Sequence, residues 1–242
     1  MKREYHKWYS PNLQRDMELL VYGHAGARVL LFPTRTARFY DYENWRIIQS
    51  IQPFIENGWL QVYTLDSIDQ ESFYCFWAHP AGRIQRHIQY ENYVLEEVMP
   101  LSYQINPNLC LMSVGCSMGA YHAMNIALRH PQWFSKVISL SGRYDLTLQL
   151  GMFENLFGGY YDENVYHHLP SHYIPNMPEG NQLNQIRRLD ITFVVGKEDP
   201  FLQNNQDFSN SLWQKGVWHA FHEWDGLAHR ARFWRQMLPI YL

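Results

Sequence analysis

The chain has 242 residues, with 20 Lys and Arg against 23 Asp and Glu and a formal net charge of −3. That length suits one sizeable α/β core, and the mixed charge gives no electrostatic case for nucleic acid or an anionic membrane surface. Three cysteines (Cys75, Cys110, Cys116) are too few for a disulfide frame or zinc site, the opening MKREYHKWYSP has no apolar leader core, and no apolar run reaches spanning length, so the expectation is a cytoplasmic protein.

In chain order, residues 17–22 read as a strand, 23–26 as a turn and 28–32 as a second strand, so the two strands are expected to form a hairpin. The second strand is apolar on both faces, as a central buried strand is. An unperiodic loop follows over residues 34–40. Trp45, Ile47, Ile48, Ile51 and Ile55 then mark a helix stopped by Gly58, with Pro53 predicting a kink or late break. Residues 60–65 form the next strand, with Asp66 at its end. The stretch to Gly82 is irregular and aromatic. Helical spacing returns over 83–101, with Ile84, Ile88, Leu95 and Val98 on one side.

Residues 109–131 organise the rest. An apolar run, 109–114, is short enough to be a buried strand. It leads into Gly115-Cys116-Ser117-Met118-Gly119, a G-x-S-x-G. Ala120, Ala123, Met124, Ala127 and Leu128 then lie on one helical face, and Pro131 ends the helix. Ser117 therefore sits where a strand turns sharply into a helix. The flanking glycines fit a turn too tight for side chains. Such a turn lifts the hydroxyl clear and aims backbone N–H groups at any developing anion.

Residues 136–140 form a further strand. From about 146 to 185 the pattern lapses into a Gly-, Pro-, Asn- and aromatic-rich segment, too long for an ordinary connection and read as a small cap or pocket wall. A strand at 191–195, a loop at 196–200, a helix at 201–215, a strand at 218–224, a loop at 225–229 and a terminal helix complete one domain, 1–242. Strands alternating with helices mean a mostly parallel sheet covered on both faces, with ligands at the strands' carboxyl ends. Ser117, Asp199 and His229 all fall just after strands, in the chain order of an α/β-hydrolase triad.

A serine hydroxyl needs a base to take its proton. Of twelve histidines, His229 lies in a Gly-containing loop directly after a late strand. His219 and His222 fall in that strand, His24 in a turn, and His167, His168 and His172 in the 146–185 segment, where contact with substrate stays open. Asp199 would hold the imidazole tautomer. Its competitors are Glu198, one residue earlier, and Asp225, in the histidine's own loop, and its alternative role is a helix cap. Asp66 precedes the serine. The oxyanion donors are expected to be the Met118 N–H and one from the loop after residue 32, Thr34 or Arg35. Cys116 reads as a packing residue.

The chain resembles the esterase D, feruloyl esterase and antigen 85-like esterases of the α/β hydrolases. The stretches YHKWYSPNLQRDMELLVYGHAG, VLLFPT, GCSMGAYHAMNIALRHPQWFSKVISLSGRYDL, GGYYDENVYHHLP, VVGKEDPFL and WDGLAHRARFWRQMLPIYL carry the likeness over nearly the whole chain. The resemblance implies an α/β-hydrolase fold with a small irregular cap and a serine esterase acting through an acyl-enzyme on Ser117. It implies Asp199 as the acid, His229 as the base and an oxyanion donor near Thr34. Relatives carry a Gly- or Ser-rich turn where this chain has Thr34-Arg35-Thr36-Ala37. The partner expected is a small-molecule ester, with no cofactor, metal, nucleic acid or membrane; acyl transfer, a non-catalytic binding role and a homo-oligomer stay open.

Overall fold

The computed structural model describes residues 1–242. Its strands are β1 (Arg3–Ser10), β2 (Arg15–Tyr22), β3 (Ala27–Phe32), β4 (Leu60–Leu65), β5 (Leu111–Cys116), β6 (Lys136–Leu140), β7 (Asp190–Gly196) and β8 (Ala220–Trp224). They form one sheet in the order β1-β2-β4-β3-β5-β6-β7-β8. Only β1–β2 and β2–β4 pair antiparallel; every later pair is parallel.

The apolar runs have the composition of strands buried on both faces. Alternate residues serve opposite cores. Leu19, Val21, Leu30 and Phe32 enter one cluster, while Leu20, Tyr22, Val29 and Leu31 enter the other. The first cluster is closed by α4 (Pro80–Tyr93), α6 (Met118–Arg129) and α10 (Leu202–Gln214). The second is closed by the short helices α1 (Asp41–Asn44), α2 (Ile47–Ser50) and α3 (Gln52–Glu56) and by the terminal α11 (Ala231–Tyr241). Each fully buried aliphatic side chain contributes about 1.5–3 kcal/mol, so the two-sided sheet is the main source of stability.

The expected hairpin of residues 17–32 is absent, because β4 lies between β2 and β3. The 23–26 turn is packed against the residues that enter β4. A side chain at Gly26 would meet the Trp59 carbonyl at 2.2 Å, so the turn hands the chain across β4. Besides β4, β2 pairs with the preceding β1, in a REYHKWYS–RDMELLVY register that places Trp8 opposite Met17. The long helix expected around Trp45 is three short ones, since Arg46 takes a left-handed φ of 58° and Pro53 stands in the first turn of α3. The 83–101 helix runs on as α4, a π-helical turn (Val94–Val98) and α5 (Met99–Ile105). That wider turn accommodates Pro100, which lacks an N–H and crowds the preceding turn. No helix is long and apolar enough to cross a membrane.

The 146–185 segment contains α7 (Glu163–His167), α8 (Pro170–Asn176) and α9 (Asn181–Ile186). Leu146, Leu156, Phe157, Val165 and Leu169 pack with Phe73 and Tyr121 in a third, smaller apolar cluster. The segment is thus anchored on α6 rather than hanging free.

Candidate active site

Ser117 stands between β5 and α6 with φ 56° and ψ −120°. Its N–H donates to the Leu140 carbonyl at 2.8 Å. A Cβ at Gly115 would meet the Gly119 carbonyl at 2.1 Å, and one at Gly119 would meet the Phe32 carbonyl at 2.2 Å. Both glycines are therefore demanded by backbone approach, and together they bring the start of α6 against the end of β3. Tyr42 fixes the same corner: its hydroxyl donates to the Phe32 carbonyl (2.7 Å) and accepts from the Cys116 N–H (3.2 Å). Cys116 is fully buried, and burial pushes its thiol up to about 12, which removes it as a nucleophile.

The structure brings Ser117, His229 and Asp199 together. His229 Nε2 lies 2.9 Å from Ser117 Oγ, and its Nδ1 lies 2.8 Å from Asp199 Oδ2. The second Asp199 oxygen accepts the Phe201 N–H at 2.9 Å, so this carboxylate also steadies the entry to α10. The loops carrying the two residues are joined: Lys197 and Glu198 N–H groups donate to the Trp224 and Gly226 carbonyls. A side chain at Gly196 would meet the Leu227 carbonyl at 2.3 Å. Phe201 and Trp234 flank the His229 ring, with centroids at 5.8 and 5.6 Å.

The competing residues lie elsewhere. Glu198 is exposed, and Asp225 pairs with Lys197 at 2.7 Å in solvent. His219 is buried against Ser209 (2.7 Å), and His172 bonds Asp145 (3.0 Å). His219 also lies just before β8, not within it. Asp66 is bound by Arg38 at 2.7 Å.

The Met118 N–H, at the first position of α6, has no acceptor in the protein, and neither do those of Thr34 and Arg35. All three residues line one cavity of ≈ 510 Å³ with Ser117 and His229. The loop from β3 is held by a residue that no local sequence pattern signals. Asp69 Oδ2 accepts the Thr36 N–H at 3.0 Å, and its Oδ1 lies 3.2 Å from His122 Nε2 on α6. Thr36 is thereby kept at a left-handed φ of 55°.

A second cluster could hold a cation: His87, Glu91 and His168 place one ligand atom each within 4.8 Å of one another. Arg129 Nε already donates to both Glu91 oxygens (2.9 and 3.0 Å), and His130 Nε2 lies 2.9 Å from one. An ion there would share its carboxylate with a guanidinium.

The sequence is 28% identical over 168 residues to the diacylglycerol acyltransferase/mycolyltransferase Ag85C of Mycobacterium leprae, covering 65% of this chain and 49% of that protein. The chain thus spans about half the length of this curated relative. A ferulic acid esterase superposes with a TM-score of 0.78 at 15% identity, covering 99% of this chain and 95% of the other. The serine hydrolase FphF of Staphylococcus aureus superposes at 0.75 and 20% identity, over 99% and 96%. These similarities establish the α/β-hydrolase fold. The sequence model of the family described as "Putative esterase" matches residues 41–241, so the chain belongs to that family.

Proposed function

We propose that Ser117 is the nucleophile of a metal-independent serine esterase, with His229 as base and then acid and Asp199 as the residue that fixes the imidazole. Ser117 Oγ attacks the ester carbonyl while His229 Nε2 takes its proton. The Met118 N–H and that of Thr34 or Arg35 hold the oxyanion. The tetrahedral adduct collapses, the ester C–O bond breaks, and His229 protonates the leaving alkoxide. Water then gives a proton to His229 and attacks the acyl-enzyme. The acid departs and Ser117 recovers its proton. The carrying observation is the continuous contact from Ser117 through His229 to Asp199, at 2.9 and 2.8 Å, on the wall of the cavity. The domain is read as 1–242, with the 146–185 segment as a cap whose Met152 and Phe153 line that cavity.

The test is hydrolysis of a short nitrophenyl ester by the wild type and by Ser117→Ala. Loss of about 10⁴-fold or more in kcat is expected. Equal rates would remove Ser117 from the mechanism. The acyltransferase name of the Mycobacterium leprae relative favours a second reading, in which an alcohol replaces water at the acyl-enzyme. Product analysis with an added alcohol acceptor separates the two.

A further inference from the structure

Three arginines, Arg35, Arg143 and Arg230, line the cavity that holds Ser117 and His229, and no aspartate, glutamate or lysine does. The whole chain is net negative, at −3, so this excess of cations is local. Several arginines elsewhere meet carboxylates, as Arg38 does Asp66 and Glu18, Arg129 does Glu91 and Arg187 does Glu179, while the buried Arg28 and Arg83 are held by carbonyl and hydroxyl oxygens alone. The three cavity arginines form no ion pair within the protein.

Arg143 is the most telling of them. It is only 4% exposed. Its Nη2 donates to the carbonyls of Leu148 (2.5 Å) and Glu154 (2.7 Å), and Phe201 lies under the guanidinium at 5.7 Å. These contacts fix the plane of the group. Nη1 has no acceptor in the protein, yet it is not sealed from solvent. Burying a guanidinium without a carboxylate is costly, and carbonyl dipoles offset only part of that cost. Arg35 lies over the Tyr74 ring at 5.5 Å, and Arg230 is exposed at the rim beside His229. The planar guanidinium fork matches carboxylate and phosphate oxygens.

We propose that these arginines form an anion subsite of the cavity, and that the ester cleaved carries a carboxylate or phosphate on the part lying against Arg143. The substrate assignment rests on the reading of Ser117 as nucleophile. Arg143 binds the charge at depth, and Arg35 and Arg230 draw it in from the rim.

The test uses matched esters. For a charge on the acyl side, 4-nitrophenyl hydrogen glutarate is compared with 4-nitrophenyl pentanoate. For a charge on the alcohol side, 4-acetoxybenzoate and 4-acetoxyphenyl phosphate are compared with phenyl acetate. The readout is the kcat/KM ratio of charged to neutral ester, which cancels any general loss of folded enzyme. At least one charged ester is preferred by the wild type, and Arg143→Met lowers that ratio about tenfold to a hundredfold, the worth of a charge-assisted hydrogen bond. Arg35→Gln combined with Arg230→Gln lowers it less, and carries the test should Arg143→Met not fold. Wild-type ratios no higher than those of the variants overturn the proposal. If no ester is cleaved, the Ser117 reading fails instead. Titration calorimetry of glutarate and inorganic phosphate on Ser117→Ala protein, which needs no turnover, then decides the subsite. Binding lost with Arg143→Met upholds it, and absence of binding overturns it.

Discussion

Two of the places where this molecule combines histidine with a carboxylate have surroundings that give them opposite characters. At the cavity wall, both ring nitrogens of His229 have partners, Ser117 on one side and Asp199 on the other. In the interior, His87 Nδ1 and His168 Nε2 have none. His168 instead uses its Nδ1 on the Asn164 carbonyl at 2.7 Å. Burial, with the charges of His168, His122 and Arg129 adding to it, holds the His87 imidazole well below its ordinary range. Burial, helped by the Arg129 charge, brings His168 down to about 4. Glu91 is pushed up by the same burial, but the His130 hydrogen bond and the Arg129 charge outweigh it and bring it to about 2. The interior carboxylate is thus spent on Arg129 and His130, and the interior rings stay neutral. An imidazole becomes a usable base when an acid sits directly on one nitrogen and the other opens on the reacting group.

The contrast is broken most severely by Asp199→Asn. The amide still accepts from the Phe201 N–H, so the fold is expected to persist, but it no longer selects the His229 tautomer. A fall of about 10⁴-fold in kcat is expected, read with a nitrophenyl ester. Retention of full activity would show that Asp199 serves only as a cap for α10. A gentler intervention is His168→Gln, which leaves the cavity alone. An imidazole held neutral in the folded chain at about 4 is protonated near 6.5 in the unfolded one, so the unfolded state binds more protons between these values. Stability therefore falls as pH drops from about 6.5 towards 4. Urea unfolding at pH 7 and pH 5 should show that difference shrink by on the order of 1–2 kcal/mol in His168→Gln. An unaltered difference would mean that the acid sensitivity comes from other groups.

How much of this the amino-acid order discloses depends on how local the cause is. The Ser117 turn is local: a strand, two glycines and a helix within one short stretch state it outright. Asp199 and His229 are legible because each follows a strand in a parallel sheet, which puts them at one rim. The place of β3 in the sheet is not local. Val29–Phe32 would pair equally well with β2 by periodicity, and the Gly26–Trp59 contact that prevents it joins segments far apart in sequence. β1 escapes notice because REYHKWYS is an edge strand, charged and half exposed, without an apolar alternation. Asp69 and Arg143 carry no pattern at all. Their importance arises from which backbone groups and cavity they meet, and only the folded chain determines that.

Treating the wild-type protein with a fluorophosphonate and mapping the adduct by peptide mass spectrometry interrogates the Ser117 hydroxyl itself. A single modification is expected on the peptide containing Ser117, at its hydroxyl, and none in Ser117→Ala. An unmodified Ser117 in folded protein, or an adduct that persists in Ser117→Ala, would contradict its role as the nucleophile.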